Sequence, residues 1–237
     1  MPRVLISIRE SLNSFGWVNG SLYVVARALD KATRGRCRIF KYYFVAQPVP
    51  VRPKTAFSLR TKTRIFQVSA EDGIIRHFPR PAEVVAKRFA DGAVCFVAER
   101  AGELVGFIWI KQEKYSEDEV RCLYLLDPAT QLVWDFDGYV APQFRMSRAF
   151  AQLWAAVNRF LSDNGYRWTV SRISAFNKHS IASHGRLGAV HLHTGLFVTA
   201  GAFQLSLFSC APYIHIAVNR SGCPELSFRP PAEPSRT

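Results

Sequence analysis

Residues 140–153 read VAPQFRMSRAFAQL, and what surrounds this stretch decides the fold. Val140 closes QLVWDFDGYV (131–140), a run with the apolar and aromatic composition of a strand. Pro142 interrupts it, and then the rhythm changes. Phe150, Leu153, Trp154, Val157 and Leu161 fall at the i, i+3, i+4 spacing of one helix face, predicting a helix over about 146–164. A strand that turns straight into a helix aims the first helical N–H groups, and their partial positive charge, at whatever occupies the turn. Arg145 and Arg148 add two cations, so the stretch reads as an anion site.

Working outward, NGYR (164–167) ends the helix and RWTVSRI (167–173) reads as a strand. Asn177 can cap a short helix through Ile181 and His184 to Leu187, with Gly188 as its stop. AVHLHTGLFV (189–198) and FQLSLF (203–208) read as a finishing antiparallel pair. Upstream, GSLYVVARALDKATR (20–34) carries a helical stripe of Leu22, Val25, Ala26 and Leu29, with Gly35 to end it. RCRIFKYYFVAQPV (36–49) and TRIFQVS (63–69) have strand composition, and PVPVRP (48–53) breaks regular structure. PAEVVAKRFADG (81–92) fits a short helix with Pro81 in its first turn and Gly92 past its end. AVCFVAER (93–100) and LVGFIWIKQEKY (104–115) form a hairpin over AGE. EDEVRCLYLL (117–126) and the 131–140 strand extend a meander around DPAT.

This order predicts an α/β (α+β) fold with a mixed, mostly antiparallel central sheet flanked by helices. It suggests an N-terminal α/β extension over residues 1–80, a core over 81–218, and a Pro-rich tail over 219–237 that frays.

Of the 237 residues, 49% are hydrophobic, ample for a packed core and against disorder. No apolar run reaches the roughly 18 residues of a membrane span, and the N-terminus lacks a secretory leader pattern, so the expected location is cytoplasmic. Cys37, Cys95, Cys122, Cys210 and Cys223 are scattered and form no CxxC pair. His191 and His193 share a strand face without a nearby Cys or Asp, and no metal site is expected. Nucleophile motifs of hydrolases are absent. The net charge of +13 predicts attraction to anions: a phosphorylated cofactor, an acidic carrier protein, an acidic membrane or nucleic acid. No block of five like charges occurs, and a buried strand face explains RIFKYYF (38–44) more cheaply than base stacking, which argues against nucleic acid.

Asp135 and Asp137 stand two apart among Val133, Trp134, Phe136 and Tyr139, so regular alternation would put both on one strand face. Partial burial would raise a carboxyl there toward the range of a general base; a solvated face or pairing with arginines is the other reading. Glu99 and Glu113 are weaker candidates.

Val140, Pro142, Arg145 and Leu153 match in type and spacing the Val-x-Pro-x-x-Arg-Gly-x-Gly-x-Gly/Ala-x-x-Leu turn of one enzyme superfamily. Asn177, Ser180, His184, Arg186 and Gly188 hold the spacing of its second motif, Asn-x-x-Ala/Ser-x-x-x-Tyr-x-Lys-x-Gly-Phe. Over about residues 80–208 the chain thus resembles the Gcn5-related N-acetyltransferases (GNAT). It departs from them at Met146, Arg148 and Phe150, where the family has glycines, and at His184, where many members have tyrosine. The resemblance implies an N-acyltransferase that moves an acyl group from acetyl-CoA or another acyl-CoA to a small-molecule amine by direct attack. It implies donor contacts from Tyr139, Val140, Arg145, Met146, Ser147, Arg148, Ala149, Phe150, Asn177 and Ser180. It also implies a base at Asp137 or Asp135, an acid at His184, and a strand that splays from its neighbour around Gly138–Val140. The glycine-poor turn leaves two alternatives: a donor carried on an acyl carrier protein, or a GNAT-like module that binds without catalysing.

Overall fold

The computed structural model describes residues 2–51, 63–145 and 147–231. The chain forms two compact units that interleave in sequence. The first takes residues up to Gln47, Ser116–Leu125 and everything from Ser171; the second takes Pro48–Tyr115 and Leu126–Val170. Both combine helices with a mostly antiparallel sheet, as the element order predicts.

In the second unit the strands are β2 (Arg64–Val68), β3 (Val94–Arg100), β4 (Glu103–Lys111), β5 (Lys114–Ser116) and β7 (Leu132–Val140), with the opening of β8 (Trp168–Ser174). Strand order runs β8-β7-β4-β3-β2, antiparallel except for the β7/β8 pair. Helix α3 (Ala149–Asp163) packs on β2, β3 and β4 through Leu153, Trp154, Val157 and Leu161, the stripe read from the sequence. Helix α2 (Ala82–Ala90) covers the other face, where Val85 joins Phe78, Cys95, Val97, Phe107 and Trp109 in a buried cluster. Burying several such side chains, each worth about 1.5–3 kcal/mol, holds the two helices to opposite faces.

The first unit has helix α1 (Pro2–Ala32), broken at Gly16, and strands β1 (Cys37–Pro48), β9 (Val190–Ala200), β10 (Phe203–Phe208) and β11 (Ile214–Ala217). It also has β6 (Leu123–Leu126), β12 (Glu225–Phe228), the end of β8, and helix α4 (Lys178–Arg186). Strand order is β11-β10-β9-β1-β8, with β1, β9, β10 and β11 antiparallel to their partners. Gly188 adopts φ 81° just past α4, the left-handed stop that the sequence predicts.

Three expectations change. The helix expected over 20–34 starts just past the break at Gly16, and another helical segment precedes that break. EDEVRCLYLL gives a strand only at Leu123–Leu126, which pairs with β12 and does not flank β7. The reason is local: the Glu117 carboxylate accepts from the amides of Asp118 and Glu119 and from Arg172, and holds the segment before the strand as a loop. Nor is the Pro-rich C-terminal segment loose at 225–228, because β12 buries Leu226 and Phe228. Phe228 lies against Phe44 and Tyr124. The end of the expected tail, 232–237, lies outside the described residues.

Candidate functional site

Strand β7 builds the site. Its parallel ladder with β8 pairs Leu132–Trp134 with Trp168–Val170, and its other edge pairs with β4. The ladder with β4 is interrupted. Phe107 pairs Tyr139 and Trp109 pairs Phe136, so one extra residue of β7 bulges opposite Ile108. Asp137 sits in the bulge with φ 47°, a left-handed conformation that Asp tolerates better than most residues. Gly106 lets the strands close beside it, since a Cβ there would strike the Tyr139 carbonyl oxygen and crowd Leu153 of α3.

The bulge separates the two carboxylates. Asp135 pairs with Ile110 and alternates with Trp134 and Phe136, so it is buried on the face opposite α2. The left-handed turn at Asp137 brings that side chain to the α2 side next to Phe136. The expectation that both would share a face therefore does not hold. Arg80 Nε donates to Asp137 Oδ2 at 2.8 Å, Arg80 Nη2 donates to Oδ1, and Arg88 Nη1 donates to Oδ2. The guanidinium of Arg80 lies over Phe107 and Tyr139, and that of Arg88 over Trp109 and Phe136. The hydrogen bonds to Asp137 push the Arg80 pKa up, against its partial burial. With both oxygens engaged by guanidinium donors, Asp137 fastens α2 to the bulge.

Beyond Val140 the chain turns through Pro142–Phe144 into α3. Arg145 is exposed and returns its Nε to the Val140 carbonyl at 3.3 Å. Ser147 Oγ donates to the Phe144 carbonyl at 2.6 Å and accepts from the Ala149 amide at 3.1 Å, closing the turn. Arg148 is the N-cap residue and makes no side-chain cap; the first helical turn holds no acid. Ala149 is buried and Phe150 half-buried, its ring near Trp154. Met146 lies outside the described residues. The second unit thus gathers Tyr139, Val140, Arg145, Ser147, Arg148, Ala149 and Phe150 at one strand–turn–helix whose helix end is electropositive. An open hollow of about 510 Å³ adjoins it, lined by His77, Glu103, Leu104, Tyr139, Ala141 and Gln143. Gln143 donates to Glu103 across its wall at 2.7 Å.

The remaining site residues belong to the first unit. Asn177 caps α4, its Oδ1 accepting from the Ser180 amide at 3.0 Å, as its position predicts. His184 Nδ1 lies 3.2 Å from Oε1 of the buried Gln47 on β1. Burial lowers the imidazole to about 4, so at neutral pH it is uncharged, the opposite of the imidazolium needed to protonate a leaving thiolate.

Sequence reasoning missed Arg80, Arg88 and Gln47. The Asp-Gly step at 137–138 was a signal for the bulge, because Asp-Gly favours positive φ; nothing in the spacing links either arginine or Gln47 to its partner. Among the described residues no group of three His, Cys, Asp or Glu could hold a metal ion.

Neither a protein-family model nor a curated protein sequence matches the chain. Among solved structures it is similar to a conserved Staphylococcus epidermidis protein of unknown function (14% identity, 73% of this chain and 66% of that one, TM-score 0.48). It is similar to a tandem GNAT protein of the clavulanic acid biosynthesis pathway (14% identity, 73% and 57% covered, TM-score 0.49). It also resembles aminoglycoside N-acetyltransferase AAC(6')-Iy, solved with CoA (24% identity, 53% and 90% covered, TM-score 0.38). The chain spans less than two thirds of the first two proteins. Likenesses of this size assign no family, donor, acceptor or activity.

Proposed function

We propose that this protein is an N-acyltransferase of GNAT type that takes an acyl group from acetyl-CoA or another acyl-CoA and passes it to a small-molecule amine. The observation that carries the reading is the second unit's β7. Its ladder with β4 carries a bulge at Asp137, and the strand then runs into an electropositive helix end with Arg145 and Arg148 beside it. In this reading the turn amides and the two arginines hold the donor's diphosphate. The β7 backbone around Gly138–Val140 takes the pantetheine arm and polarises the thioester carbonyl. The hollow beside Tyr139, with Glu103 on its wall, suits a cationic amine.

The amine gives up its ammonium proton to solvent and attacks the thioester carbon as the neutral base; the C–S bond breaks, and the second proton lost by the nitrogen passes to the leaving thiolate, directly or through water. Because Asp137 is held by two guanidinium groups and His184 is neutral, positioning of donor and acceptor supplies the catalysis in place of a dedicated acid and base. The same two facts favour a second reading, a GNAT-like module that binds an acyl-CoA or an acidic ligand without transferring the acyl group. The charge of +13 also keeps an acyl carrier protein as an alternative donor.

Calorimetric titration with acetyl-CoA, with an Arg145→Ala, Arg148→Ala double variant beside the wild type, tests the reading. Micromolar binding that weakens at least about tenfold in the variant is the expected result. Equal binding by both proteins moves the diphosphate away from this turn, and no binding by the wild type removes the CoA donor. Acyl transfer to a panel of amines then separates the enzyme from the silent module.

A further inference from the structure

Alternate residues of the first unit's strands line one face of its sheet. From the pairing register they are Cys37, Ile39 and Lys41 on β1, then Ala200, Val198 and Leu196 on β9, then Phe203, Leu205 and Leu207 on β10. Ile216 and Ile214 of β11, and Val218 just past it, continue the row. Helix α1 covers this face over β1, where Asn19 accepts from Lys41 Nζ and donates to Tyr43 Oη, both at 2.7 Å. Away from α1 the cover fails. The β1 and β9 rows are half-buried, while Ile214, Ile216 and Val218 are 64%, 59% and 75% exposed. β11 is the edge strand of that sheet, and it carries no Lys, Glu or Pro to guard the edge.

The uncovered strip, β9 to β11, spans two strand spacings, about 10 Å, which is the diameter of one helix. The same chain carries a helix stripe without a partner. On α1, Val18, Ser21, Val25, Ala28 and Ala32 repeat at spacings of three and four, all exposed and all uncharged, with Val18 at 77% and Val25 at 54%. Small side chains along this stripe permit close approach. Eight of the ten exposed large apolar residues among those described lie on these two features or beside them: Trp17, Val18 and Val25 on α1, and Phe203, Tyr213, Ile214, Ile216 and Val218 at the sheet. Their exposed area is on the order of the 800 Å² per partner that a stable interface buries.

We infer that a second copy of this chain covers the strip. A two-fold axis places each copy's α1 stripe on the other's β9–β11 face, giving an isologous interface in which the two α1 helices lie side by side between two sheets. One operation satisfies both unpartnered surfaces. Because each copy carries +13, like charges oppose the pairing, and salt screens them. The inference is independent of the acyl-transfer reading.

Sedimentation velocity over a concentration series tests it. The expected result is a micromolar dimer that tightens as salt rises. Val25→Glu and Ile216→Lys should each weaken it at least about tenfold while leaving circular dichroism unchanged, since both positions are exposed. Mixing those two variants should restore dimer. A two-fold pair sets the introduced glutamate of one variant against the introduced lysine of the other, and leaves the second contact, Val25 on Ile216, intact. A chain that stays monomeric at hundreds of micromolar overturns the inference. So does a dimer that neither substitution weakens, or one that only Val25→Glu weakens, which would mean helix against helix alone.

Discussion

Asp137 and His184 show how far a single residue can be read from sequence. The resemblance singles both out, and both are partly buried where an ionisable group has consequences. Their partners come from distant positions: Arg80 and Arg88 for one, Gln47 for the other. Spacing along a strand or helix reveals neighbours on the same element, and these partners lie on others. The role of Asn177 was legible because its partner, the Ser180 amide, is local. For His184 the physical consequence is a pH dependence. Its folded pKa of about 4 lies below the ordinary 6.5, so the unfolded chain binds the proton first as pH falls. The stability contribution is fully present above pH 6.5 and is lost as pH falls through 6.5 toward 4. Urea unfolding at pH 7 and pH 4 should show the wild type losing more stability than His184→Asn, by an amount of the order of 3 kcal/mol at most. Parallel losses in the two proteins would mean that His184 is solvated and titrates normally.

At the scale of elements, periodicity served well wherever one face is buried. The stripe of α3, the hairpin of β3 and β4, and the cap and stop of α4 follow from local chemistry and are present. The element least legible was β12. Glu225–Phe228 is four residues long and lies among prolines, a composition that reads as a fraying end. Tertiary packing overrides it: Leu226 and Phe228 are buried, and Phe228 stands 5.1 Å from Phe44 and 5.8 Å from Tyr124, ring to ring. The Leu123 amide donates to the Pro224 carbonyl at 2.9 Å where β12 meets β6. Phe228→Ala should therefore cost about 3–5 kcal/mol in chemical denaturation, the range for removing a buried aromatic ring. A loss below about 1 kcal/mol would return the segment to the status of a loose tail.

At the scale of the molecule, the sequence suggests consecutive regions, with an extension before residue 81 and a core after it. The units are not consecutive. The chain passes between them at 47/48, 115/116, 125/126 and 170/171. Hydrophobic pattern identifies strands but not their neighbours, and β1 and β2 both precede residue 81 while belonging to different units. β1 pairs with β9 over ten positions and buries Tyr42, Phe44 and Ala46; β2 pairs with β3 over five. A fragment of residues 81–218 would thus lose a strand from each unit, expose the hydrophobic side chains packed against them, and lack β12 as well. Those losses exceed the roughly 5–15 kcal/mol by which a domain is stable. The fragment should show no cooperative thermal transition and little dispersion in an amide NMR spectrum, whereas the full chain should show both. A fragment that unfolds cooperatively would establish that residues 1–80 are an appendage after all, and that the interleaving of the two units is not what holds the fold together.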